Sequence, residues 1–73
     1  MRITVKLFAT FRKGRFDAEV REVPPGTTVA NVVDEIRLPG SVGVLFVNSR
    51  HVDLSQELSD GDTLAIFPLV GGG

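Results

Sequence analysis

Seventy-three residues, 42% of them hydrophobic and 23% charged, suit a single globular domain that buries about 60% of the surface its unfolded chain exposes, which leaves little room for an enclosed active site. The absence of cysteine excludes a disulfide framework, a thiolate metal site and a thiol nucleophile, and a net charge of −1 provides no basic face for nucleic acid. No apolar run approaches the roughly 20 residues that span a bilayer, and the first residues alternate instead of forming an apolar signal core, so no membrane partner is expected and the expected location is cytoplasmic.

Ile3, Val5 and Leu7 alternate with Arg2, Thr4 and Lys6, the period of a half-buried strand placed centrally in a sheet. The pattern breaks around Lys13-Gly14-Arg15. It resumes with Ala18 and Val20 among Glu19, Arg21 and Glu22, which predicts the returning strand of a hairpin. Pro24-Pro25-Gly26 ends that strand, and Thr27 or Thr28 offers a hydroxyl to cap a helix. Val29, Val32, Val33 and Ile36 then fall on one helical stripe, with Asn31, Asp34, Glu35 and Arg37 on the wet side, until Leu38-Pro39-Gly40 stops the helix. Val42 to Val47 reads as a strand, Asn48-Ser49 as a turn and Arg50-His51-Val52 as a short return. Ser55 is placed to cap one helical turn, and Asp60-Gly61-Asp62 is a turn before the final strand, Leu64 to Val70. The order β-β-α-β-β-β predicts an α+β unit over residues 1–70, a mixed sheet of four or five strands with one helix on one face, followed by a flexible glycine tail at 71–73.

Strand parity then assigns faces. If Leu64 and Ile66 meet the helix, Ala65, Phe67 and Leu69 turn away from it, as do Val44 and Phe46, and Phe8 has the parity opposite to Leu7. Three phenylalanines on an uncovered face would exceed the small apolar patches of a monomer and would read as a partner-binding surface.

Little else in the chain carries chemistry. The single histidine, His51, stands beside a turn without a catalytic pairing, and the acids near the loops lack the ligand spacing of a calcium site, so no metal site is expected. Gly40-Ser41-Val42-Gly43 opens no helix and is not followed by Lys-Ser or Lys-Thr, so it shapes a loop and does not cradle phosphate. Lys6, Arg12, Lys13, Arg15 and Arg50 offer either a basic edge for an acidic partner or scattered solvated charge. What remains is the carboxylate of Gly73, held beyond Leu69-Val70 on glycines whose missing Cβ lets them extend through a channel closed to branched residues. A carboxylate is ionised at neutral pH and a poor electrophile, so it needs activation by another protein. The chain therefore reads as a substrate of enzymes and not as an enzyme.

Leu7-Phe8-Ala9-Thr10-Phe11-Arg12, Val47-Asn48-Ser49-Arg50, Leu58-Ser59-Asp60-Gly61-Asp62 and Ala65-Ile66-Phe67-Pro68-Leu69-Val70-Gly71-Gly72 together resemble the ubiquitin-like sulfur carriers, most closely the molybdopterin synthase small subunit. The resemblance spans the whole chain and implies a β-grasp fold. It also implies adenylation of the C-terminal Gly73 by an ATP-dependent activating enzyme, conversion to a thiocarboxylate with sulfur from a donor protein, and delivery to a biosynthetic acceptor. ATP would be consumed by the activating partner, with no cofactor bound by the chain itself. In the molybdopterin branch the acceptor lies in the synthase large subunit, which would take Gly71 and Gly72 into its channel and dock Phe8, Phe46, Phe67, Pro68 and Leu69. The three glycines after Val70 are similar to the tail of the thiamine-biosynthesis carrier, whose partner is a thiazole synthase. A modifier joined to lysines, and a plain interaction module, are the other readings.

Overall fold

The computed structural model describes residues 1–69. The chain forms β1 (Arg2–Leu7), a short 3-10 helix (Ala9–Arg12), β2 (Ala18–Glu22), α1 (Val29–Ile36), β3 (Val42–Val47), β4 (Arg50–Val52) and β5 (Thr63–Pro68). These strands make one five-stranded sheet in the order β2-β1-β5-β3-β4. β1 and β5 run parallel, Thr4 beside Thr63 and Leu7 beside Ile66, while the other neighbours are antiparallel. The last strand therefore occupies the centre, and β1 lies just beside it.

The alternation of β1 produces the core directly. Ile3, Val5 and Leu7 are buried to 1% exposure or less, and they meet Leu64 and Ile66 of β5 and Val29, Val32 and Ile36 of α1. Each fully buried aliphatic side chain of this kind contributes about 1.5–3 kcal/mol of transfer free energy. Phe11 completes the core at 1% exposure, although it belongs to no periodic segment. The four-residue 3-10 helix swings it under the sheet, and so short an element leaves no repeat for a sequence reading to detect.

Thr28 is the helix cap. The Asn31 N–H donates to its hydroxyl at 3.3 Å, and the Thr28 N–H donates to the Asn31 side chain at 3.0 Å. Thr27 is buried and donates to the Pro24 carbonyl at 2.7 Å. The N–H groups of Val29 and Ala30 donate to the carbonyls of Gln56 and Leu54, 2.9 Å each. At the other end the helix stops at Ile36, earlier than Pro39 requires, because Arg37 adopts the left-handed conformation at φ 57°. Arg15 reaches across to donate to the Ile36 and Arg37 carbonyls at 3.1 and 2.8 Å, which satisfies helix-end acceptors from a distant loop.

Two expectations differ from the structure. No helix forms at Ser55: its hydroxyl and its N–H both donate to the Asp53 side chain, the Gln56 N–H closes a tight turn onto the Asp53 carbonyl at 3.2 Å, and a single bridge joins Thr28 and Glu57. In β2 the pattern is inverted, with Val20 59% exposed and the charged Glu19 and Arg21 turned to the helix side. β2 is the sheet margin, where Arg21 spreads over Phe16 and pairs with Glu19 at 2.9 Å and with Glu35 of α1 at 3.8 Å. Its Nε and the Glu19 Oε2 it meets are both buried at this contact.

Candidate functional site: the open sheet face and the end of the last strand

The face of the sheet opposite α1 has no covering element among the described residues. Phe67 is its centre. Its ring stacks on Phe8 with 4.2 Å between centroids and 8° between planes, and Phe46 meets it edge-on at 5.8 Å and 81°. His51 extends the group, edge-on to Phe46 at 5.8 Å. This arrangement follows from register: Lys6, Ala65, Phe46 and His51 form one cross-strand row, and Phe67 and Val44 lie opposite each other in the next. Offset and edge-to-face pairs each add about 0.5–1.5 kcal/mol beyond burial, so the three rings form a fixed patch.

The surroundings are cationic. The Arg12 guanidinium stands 5.7 Å from the Phe8 centroid, 3.9 Å from Asp17, and Lys6 has no ion pair among the described residues. The Arg15 guanidinium is committed to the helix-end carbonyls of Ile36 and Arg37. A shallow groove between Lys6, Phe8, Phe46, Ser49, Thr63 and Phe67 runs across the patch.

β5 delivers its end beside this face. Leu69 is 69% exposed, and its N–H donates to the Ser41 carbonyl at 2.9 Å. Gly43, expected to shape a loop, lies within β3 at the register shift between Val42 and Val44. A Cβ on Gly43 would lie 2.6 Å from the Pro68 oxygen and 2.8 Å from the Leu69 Cα, so only glycine lets the two backbones approach this closely. Pro68, expected among the docking residues, takes the parity of Leu64 and Ile66 and is buried on the core side, covered by its own chain. Val70 and the three glycines, including the expected reactive Gly73, lie outside the described residues.

The ThiS family model matches residues 5–73. The chain belongs to the ThiS family. Among solved structures, this ThiS-family chain is 35% identical to a Pyrococcus furiosus protein assigned as molybdopterin converting factor subunit 1, with a TM-score of 0.78 over 94% of this chain and 98% of that one. SAMP1 from Haloferax volcanii has the same fold at 23% identity, TM-score 0.75, with both chains fully covered. A chain in the complex of molybdopterin-converting factor subunits 1 and 2 from Helicobacter pylori also shares it, at 20% identity and TM-score 0.67 over the full length of both. No curated protein matches the chain. The fold is thus the ubiquitin-like β-grasp.

Side-chain chemistry elsewhere on this ThiS-family domain is sparse. His51 in β4 is followed closely by Asp53 and Ser55, yet the Ser55 hydroxyl donates to the Asp53 carboxylate and not to the imidazole, so no Ser–His pair forms. That bond, aided by the Ser55 N–H and the nearby His51, holds the exposed Asp53 carboxyl below the usual carboxylate range. Among the described residues no cluster of His, Cys, Asp or Glu could hold a metal ion. Among the described residues no helix is long and apolar enough to cross a membrane. Arg12 and Lys6 had a sequence signal only as part of a scattered basic set, because their convergence on the rings depends on the parallel pairing of β1 with β5.

Proposed function

We propose that this protein is a sulfur carrier whose Gly73 carboxyl alternates between carboxylate and thiocarboxylate, serving the assembly of molybdopterin. The observation that carries this reading is the ThiS family match running unbroken through Gly73. An ATP-dependent adenylating partner converts the carboxylate to an acyl-adenylate with release of pyrophosphate. The outer sulfur of a donor persulfide then displaces AMP at the carbonyl to give an acyl disulfide, and a thiol outside this cysteine-free chain attacks the donor sulfur, breaks the S–S bond and releases the thiocarboxylate. The domain itself is the handle: Phe8, Phe46 and Phe67 supply the apolar contact, Lys6 and Arg12 the charges that orient an acidic rim, and Leu69 the exposed start of the segment that enters the partner's channel. The molybdopterin branch is favoured over thiazole synthesis by the 35% identity to the Pyrococcus furiosus converting-factor subunit, and a synthase large subunit is the corresponding acceptor partner.

Incubation with ATP, a cognate activating enzyme and a sulfur donor is expected to raise the intact mass by the replacement of one oxygen with sulfur, localised to Gly73 by fragmentation. An unchanged mass with an active enzyme refutes the carrier reading, and a ladder of lysine conjugates in its place assigns the protein as a modifier. The thiocarboxylated form, offered to a molybdopterin synthase large subunit and to a thiazole synthase, is expected to lose its sulfur to the former.

A further inference from the structure

The outer edge of β2 carries a second interaction surface, independent of the open face. The N–H of Leu7 donates to the Asp17 carbonyl, and Met1 and Val23 exchange both of their backbone bonds. Alternation between these points turns the backbone groups of Glu19 and Arg21 toward β1 and those of Ala18, Val20 and Glu22 outward. No strand pairs with that side of β2 among the described residues. Protein edges of this kind are usually blunted by proline, a bulge or like charge. β2 has none of the three: its register with β1 is unbroken, and its charges reverse sign about Val20.

That reversal makes the strand self-complementary. We propose that a second copy of this chain pairs antiparallel along β2, with Val20 of one copy opposite Val20 of the other. In this register Val20 pairs with Val20, and Ala18 with Glu22 twice over, which satisfies every outward backbone group. Glu19 of each copy falls opposite Arg21 of the other in the non-hydrogen-bonded positions, where side chains approach most closely. Both residues already pair within one copy at 2.9 Å, so two copies would join their charges into one alternating network. The exposed Val20 side chains cover each other. The other edge lacks this property: β4 has only three residues, and a pairing centred on His51 sets Arg50 against Val52 without charge complementarity. The two-fold axis stands perpendicular to the sheet, so both aromatic patches emerge on the same side of the joined sheet. One strand edge buries less than the roughly 1,200 Å² of stable interfaces, so the dimer is weak and concentration-dependent.

Sedimentation velocity over a concentration series from micromolar to millimolar tests the pairing. The weight-average mass of the wild type is expected to rise toward that of the dimer. Arg21→Glu and Glu19→Arg, each setting like charges opposite one another, are expected to weaken association at least tenfold when alone, and their equimolar mixture to restore it. In parallel, amide shifts of Ala18, Val20 and Glu22 in the wild type are expected to move with concentration, a readout that stands even where a charge variant folds poorly. A mass fixed at the monomer throughout, undiminished association of Arg21→Glu, or shifts confined to the Phe8, Phe46 and Phe67 face overturns the proposal.

Discussion

The ring of Phe8 lies flat on that of Phe67, although 58 residues of intervening chain separate them in a 73-residue protein. The contact exists because β1 and β5 are parallel neighbours, so residues just past the end of one and near the end of the other come level. It ties the aromatic patch to the strand that leads into the C-terminal glycines.

Replacing Phe67 removes the ring that both Phe8 and Phe46 contact. Phe67→Ala is expected to weaken binding to a synthase large subunit by at least tenfold, as titration calorimetry would show. The fold should survive, since the ring is only half-buried, with a stability loss of about 1–2 kcal/mol in urea denaturation.

Gly43→Ala addresses the end of β5. The added methyl would lie 2.6 Å from the Pro68 oxygen, and backbone atoms cannot yield as a flexible side chain can. Overpacking of this type costs about 1–3 kcal/mol. The expected signature is a lower unfolding midpoint, together with loss of protection of the Leu69 amide in hydrogen exchange.

Ser49→Gly is expected to act in the opposite direction. Asn48 and Ser49 both have positive φ, 50° and 68°, as a two-residue hairpin turn demands, and serine pays a steric cost there that glycine avoids. After the larger unfolded-state entropy of glycine is set against this, a gain of about 0.5–1 kcal/mol is expected, measured by thermal or urea unfolding.

Asp53 gives a pH-dependent expectation. Its folded pKa is depressed, so its contribution to stability is present above the unfolded value and is lost as pH falls through the folded one. Ser55→Ala removes the largest cause and is expected to move the Asp53 titration upward toward the ordinary carboxylate range, followed by carboxyl-carbon NMR. Thiocarboxylation of Ser55→Ala, followed by intact mass, should match that of the wild type, since neither Ser55 nor Asp53 lines the groove between Phe8, Phe46 and Phe67.

The helix and the core strands were legible in the sequence because their signals are local. Val29, Val32 and Ile36 repeat at helical spacing, and Leu64 and Ile66 alternate with Phe67, so face assignment follows once one residue is placed inside. Phe11 was illegible because its 3-10 helix is too short to show a period. β2 misled because at the margin of a sheet a charged residue with a long alkyl stem can take the inner side while valine takes the outer. The family resemblance implies a docking role for Pro68, whereas the pleat turns it to the side of Leu64 and Ile66, where it is buried.

The sequence by itself determined the element order, the apolar faces, the absence of a thiol and the family resemblance carried by Phe8, Phe67 and the glycines. Tertiary structure alone decided that the first and last strands are parallel neighbours, that the phenylalanine face expected from strand parity closes into stacked and edge-on rings flanked by Lys6 and Arg12, and that Gly43 admits the end of β5. The physical reason is range. Periodicity and turn chemistry act over a few residues, whereas strand order is chosen by burial of the whole apolar face against one helix, to which residues far apart in the chain contribute together.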